Sequence, residues 1–127
     1  MRMPWQRETS EPTDEAVSTF APIDDIDALN AVLAGGTDAG PSVLLIHDPW
    51  CPISDRAYRE ASRVGDAIHL VVTDGGRELT RHIEATTGIR HESPQAFVLA
   101  GGHVRWHASH GRITRDAIRA AVEAAAG

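Results

Sequence analysis

A chain of 127 residues with a single cysteine is long enough to bury one apolar core without staples, and it excludes an internal disulfide framework. Its net charge of −6 argues against nucleic acid as a partner, because phosphate binding needs clustered cations that release counterions; all twelve basic residues are Arg. No window approaches the roughly 18 consecutive apolar residues of a membrane span, and the opening stretch MRMPWQRETSEPTDEAV holds no apolar run of signal-peptide length, so the expectation is a cytoplasmic protein without a membrane partner.

Residues 1–17 are polar, charged and Pro-containing, with Trp5 their only large aromatic, and read as a flexible lead-in to one domain over 18–127. STFAPI is a short strand candidate. Asp24 or Asp25 can cap the segment that follows, where Ile26, Leu29, Val32 and Leu33 recur at helical spacing before Gly35 and Gly36. PSVLLIH is short and uniformly apolar, which predicts a buried central strand over 42–47. After Cys51 the period changes: Ile53, Ala57, Ala61 and Val64 describe one helix face, and Gly65 stops it. Pro52 at the first helical position fixes φ and gives up no needed hydrogen bond, so the helix begins at the cysteine. AIHLVVT is another apolar strand; DGGRELTRHIEATTG is a helix carrying Leu79, Ile83 and Thr86, with Gly88 as its stop. QAFVLAGGHVRWHA reads as two strands joined by a Gly101–Gly102 hairpin, and Thr114 caps a last helix with Ile118, Ala121, Val122 and Ala125 turned inward. The order β-α-β-α-β-α-β-β-α predicts an α/β protein whose mixed central sheet carries helices on both faces.

The only thiol therefore sits where a strand has ended and a helix starts. The first turn of a helix presents unpaired N–H groups and the positive end of the macrodipole, both of which favour an anion. A thiol so placed is more often thiolate, the form that attacks disulfides. In open α/β sheets such sites lie just beyond the carboxyl end of a strand. A free cysteine is also among the most buried residue types and is often an inert small hydrophobe; the strand, turn, Cys, Pro, helix context favours reactivity at Cys51.

The element order resembles the thioredoxin fold, and WCPIS (50–54) occupies the place of its Trp-Cys-x-x-Cys motif, with Ser54 where a second cysteine would stand. CPIS together with TGIRHESPQAFVLAGGHVRWHASH (87–110) is similar to the monothiol bacilliredoxins, a thioredoxin-like family linked to bacillithiol, over about residues 20–126. This resemblance implies a thiol-disulfide oxidoreductase that removes bacillithiol from protein mixed disulfides, with Cys51 attacking the bacillithiol sulfur and releasing the client thiol. Bacillithiol would be a co-substrate, S-bacillithiolated proteins the partners, and no tightly bound cofactor or metal would be required. Ser54 cannot resolve the Cys51 mixed disulfide, so an outside thiol must. Ser54 can donate to the Cys51 thiolate, or it can bond to backbone as an early-helix Ser does.

The resemblance also implies a cis-Pro94 before the strand facing Cys51, which leaves the backbone of Ser93 free to pair with an extended peptide or the thiol ligand. A trans Pro94 opening a strand is the reading without it. His47, four residues before Cys51, matches a family position and can promote the thiolate or protonate a leaving thiol, although a strand-end His is commonly packed or hydrogen-bonded. His107 and His110 can be structural, and His103 is expected to be exposed in the hairpin. Arg56, Arg59 and Arg63 form one stripe on the helix after Cys51. An Arg fork suits the two carboxylates of the malate group of bacillithiol, which points to Arg90 and then Arg56, with Arg59 and Arg63 on a solvated face. The turn IHDPWC departs from the family pattern, which has Lys before the matched His and small hydroxyl residues before Cys. Asp48 would oppose thiolate formation, and Trp50 resembles the aromatic of thioredoxins that offers a client-binding surface. Two other classes fit a lone Cys-x-x-Ser: a dimeric iron–sulfur carrier using one Cys51 per subunit, and a scaffold without catalysis. A monomer or weak dimer is the expected state.

Overall fold

The computed structural model describes residues 17–35 and 40–126. Along these run β1 (Thr19–Pro22), α1 (Ile26–Leu33), β2 (Ser42–His47), α2 (Pro52–Ala61), β3 (Ala67–Val72), α3 (Arg77–Thr87), β4 (Gln95–Ala100), β5 (His103–Ser109), a 3₁₀ turn (His110–Arg112) and α4 (Arg115–Ala126). Nine of these follow the predicted order; the 3₁₀ turn is an addition. The sheet order is β1-β3-β2-β4-β5, with β1, β3 and β2 parallel and β4 and β5 antiparallel to their neighbours. Gly36 and residues 1–16 of the expected lead-in lie outside the described residues. Among those described, no helix is long and apolar enough to cross a membrane.

β2 is apolar throughout because both of its faces are covered. Successive side chains of a strand point to opposite sides, so Val43 and Leu45 enter one core with Ala57 and Ala61 of α2 and Ile118 of α4. Leu44 and Ile46 enter the other with Leu29 and Leu33 of α1 and Leu79 and Ile83 of α3. Asp25, rather than Asp24, caps α1, accepting from Ala28 N–H at 2.8 Å. Gly101 and Gly102 both take positive φ, as a tight two-residue hairpin turn requires.

Two inner-face assignments need correction. Ile53 is 50% exposed, and α2 instead buries Ser54, Ala57 and Ala61; Val64 is buried only after the helix has ended at Ala61, four residues short of Gly65. α3 buries Thr80, whose hydroxyl donates to Arg77 O at 3.0 Å, while Thr86 is exposed. In both helices a hydroxyl with a hydrogen-bond partner takes the buried position, which an apolar count alone cannot reveal.

Ser18 fastens the edge of the sheet to the end of α2. Its hydroxyl donates to Ala61 O at 2.7 Å and accepts from Gly65 N–H at 3.0 Å, and its own N–H donates to Ser62 O at 2.7 Å. Replacing it by Ala leaves a buried carbonyl and an N–H without their side-chain partner, so Ser18→Ala lowers stability by about 1–3 kcal/mol. Urea unfolding reads this as a lower midpoint at unchanged slope.

Burial pushes His69, half-buried on β3, below its ordinary value of 6.5. The unfolded chain then binds more protons than the native one between 6.5 and the folded value, so stability falls as pH drops through that window. His69→Gln removes this part of the pH dependence, measured by urea unfolding from pH 7.5 to 5.

Candidate active site

β2 delivers the chain to the carboxyl edge of the sheet at His47, and the turn Asp48-Pro49-Trp50 returns it into α2. The Asp48 carboxylate accepts from Trp50 N–H at 3.0 Å, and Asp48 O accepts from Cys51 N–H at 3.2 Å. This Asx turn ties the carboxylate to backbone on the chain side of the cysteine. Cys51 has extended backbone at φ −113 and ψ 123 and occupies the N-cap of α2, where no side-chain oxygen caps the first turn. The Cys51 side chain makes no cap hydrogen bond, so the first-turn N–H groups and the positive end of the dipole beside it are available to an anion. Pro52 follows at the first helical position, Cys51 is partly exposed, and Trp50 is 80% exposed. Half-exposed Ile53 joins Trp50 as an exposed apolar side chain flanking Cys51 and Pro52 in the chain.

Ser54 is fully buried, and its hydroxyl is committed. Its Oγ accepts from Asp48 N–H at 2.7 Å and lies 3.0 Å from His47 Nδ1. Of the two roles considered for Ser54, the backbone bond is the one formed, with His47 as a further partner in place of Cys51. The His47 ring packs on Tyr58 at 4.8 Å, and Tyr58 stacks on Phe20 at 4.4 Å. His47 is thus packed and hydrogen-bonded beneath the turn, the alternative anticipated for a strand-end His.

The Ser93–Pro94 bond is cis. β4 starts at Gln95, which pairs with Ile46, so Pro94 lies one register step further toward the His47 end of β2. The loop before it is braced by Gln95, 1% exposed, whose Nε2 donates to Arg90 O at 3.0 Å and whose Oε1 accepts from Glu92 N–H at 3.3 Å. Reading the sequence for function passes over Gln95; the signal available was one amide in an otherwise apolar strand. His91 Nε2 lies 3.4 Å from Ser93 Oγ, and its Nδ1 is buried without a partner. A hydrogen bond from Ser109, together with His110, Arg90 and His91 nearby, holds the Glu92 carboxyl below its ordinary value.

Beside this loop opens a cleft of about 500 Å³ lined by Glu92, His107, Ser109, His110, Gly111 and Arg112. His110 adopts φ 56, the left-handed region, and its N–H donates to Pro94 O at 3.1 Å, joining the cleft wall to the cis-Pro turn. Arg56 Nη1 reaches across from α2, 3.9 Å from where a Cβ on Gly111 would stand. Arg56 and Arg90 are both exposed, whereas Arg59 pairs with Asp55 and Arg63 with Glu60. His103 lies in the hairpin, at the sheet end opposite Cys51, because β4 runs antiparallel to β2. Among the described residues no group of three or more His, Cys, Asp and Glu is placed to hold a metal ion.

Ser54→Ala removes the acceptor of a part-buried N–H and the partner of His47. Stability falls by about 1–3 kcal/mol in urea unfolding, and the imidazole nitrogen shifts of His47 change in NMR. Cys51→Ser, which touches neither bond, leaves those shifts in place.

A family model described as monothiol bacilliredoxin BrxC matches residues 21–118. Among solved structures, a protein provisionally classed as an oxidoreductase with a thioredoxin fold is similar at 27% identity and a TM-score of 0.73, over 83% of this chain and 93% of the other. A thioredoxin variant from Halobacterium salinarum NRC-1 shares the fold at 15% identity and a TM-score of 0.67, over 86% and 92% of the two chains. Thioredoxin f from spinach chloroplast does so at 19% and 0.63, over 87% and 96%. With its lone Cys51 at the N-cap of α2 and Ser54 in the Cys-x-x-Ser position, this thioredoxin-fold chain belongs to the monothiol bacilliredoxin family and has a thiol redox role.

Proposed function

We propose that this protein is a monothiol exchange enzyme that removes bacillithiol from protein mixed disulfides through Cys51. The observation that carries the reading is a single thiol at an uncapped helix start with a buried, hydrogen-bonded hydroxyl three residues on. In the exchange, the Cys51 thiolate attacks the bacillithiol sulfur of the client disulfide. A Cys51–bacillithiol disulfide forms, the client sulfur leaves as thiolate, and it takes a proton from solvent. Ser54 offers no second sulfur, so free bacillithiol or another small thiol attacks the Cys51 disulfide and restores the thiol.

Trp50 provides the apolar surface for the client, and the Ser93 backbone beside cis-Pro94 pairs with an extended segment. Pro52 sets the start of α2; Ser54 and His47 hold the turn from below. Arg90, with Arg56 as second choice, takes the carboxylates of bacillithiol. Bacillithiol acts as co-substrate, S-bacillithiolated proteins in the cytoplasm are the partners, and the working unit is a monomer or weak dimer.

The test is mass spectrometry of the reduced protein after exposure to a model client carrying bacillithiol, beside a glutathione-carrying client and the Cys51→Ser variant. Bacillithiol appears on Cys51 with release of the client thiol, transfer from the glutathione client is slower, and Cys51→Ser is inert. A folded protein with a free thiol that accepts no bacillithiol would sink the reading. Arg90→Ala weakens bacillithiol transfer by raising KM; an unchanged KM removes Arg90 from binding.

A further inference from the structure

Sulfur exchange at Cys51 makes no use of the cleft beside the cis-Pro turn. We propose that this cleft is the subsite for the carboxylate-bearing end of the small thiol, with Arg112 as its specificity-determining residue. The inference rests on the bacillithiol reading above and adds residues that neither the Cys-x-x-Ser motif nor the loop before Pro94 contains.

Size and charge both support it. About 500 Å³ is within the range of small-molecule sites. The chain carries a net charge of −6, yet arginines gather at this cleft. Arg112 lines it, Arg56 reaches Gly111 on its floor, Arg90 lies near Glu92, and His107 and His110 add two imidazoles. Glu92, the one carboxylate in the lining, accepts from Ser109 and keeps its negative charge beside them. None of the three arginines forms an ion pair among the described residues, whereas Arg59 and Arg63 do. Unpaired guanidinium forks on two sides of a concavity suit a ligand with two carboxylates.

Reach supports it as well. Arg56 lies five residues beyond Cys51 on α2, which is about 7.5 Å along the axis at 1.5 Å per residue. A thiol of tripeptide size spans about 10 Å when extended. The axial rise alone is within the length of such a molecule. His110 fixes this geometry, because its N–H bond to Pro94 O sets the cleft wall relative to the turn that faces the thiol.

Two measurements on the full chain decide the matter. In an NMR titration with malate alone, the amides of Gly111 and Arg112 shift saturably, malate diamide moves neither, and Arg112→Gln abolishes the response. In the transfer assay Arg112→Gln raises KM for the bacillithiol mixed disulfide by about tenfold with kcat unchanged. Equal shifts with the neutral diamide, no shifts at these amides, or an unchanged KM in Arg112→Gln would each overturn the subsite. Failure of the parent protein to transfer bacillithiol to Cys51 is a separate result that removes the exchange reading, while the malate titration still tests the cleft by itself.

Discussion

The site depends on one buried hydroxyl. Ser54 Oγ accepts from Asp48 N–H and sits against His47 Nδ1, so a single oxygen joins the last residue of β2, the turn and the first turn of α2. A buried N–H with no acceptor would be costly, and the side chain three residues after the cysteine supplies one. The turn cannot drift from the helix without breaking this bond, and the position of Cys51 at the N-cap follows. Behind it, the stack of His47, Tyr58 and Phe20 carries the same restraint to the sheet edge.

The Cys-x-x-Ser motif acquires a structural meaning from that bond. In a two-cysteine site the second residue must be free to attack the first. Here it is locked underneath, 0% exposed, with its partners already chosen. The serine stabilises the turn as a hydroxyl and cannot act as a sulfur, so a disulfide formed at Cys51 would have no internal thiol to resolve it. Asp48 fits the same logic. Its carboxylate, expected from the sequence to oppose the thiolate, is drawn into an Asx turn by Trp50 N–H.

Most of the fold was legible because its strongest signals are local. The uniformly apolar VLLI of β2, the Pro52 start of α2 and the paired glycines before β5 each report backbone geometry from neighbouring residues. The errors share one cause. Periodicity puts Ile53 and Thr86 on the apolar faces of their helices, but Ser54 and Thr80 hold the buried positions because their hydroxyls find partners there. Gln95 escaped notice for the same reason, since its amide is buried by bracing Arg90 and Glu92 from within a strand. Periodicity counts apolar side chains; it has no term for a satisfied polar one.

The cleft was illegible for a different reason. Its walls come from the loop before Pro94, the end of β5, the 3₁₀ turn and one arginine of α2, segments brought together only by β4 lying between β2 and β5. His110 is the joint. A non-glycine residue in the left-handed region is held there by its surroundings, and its N–H on Pro94 O shows what the conformation secures. The cis-Pro turn thus has two neighbours, the thiol end of β2 on one side and a concavity lined by Arg112 and Glu92 on the other. In a thioredoxin-type sheet the first is the place for a disulfide. The second, under the subsite proposal, would hold the charged remainder of the molecule that brings it.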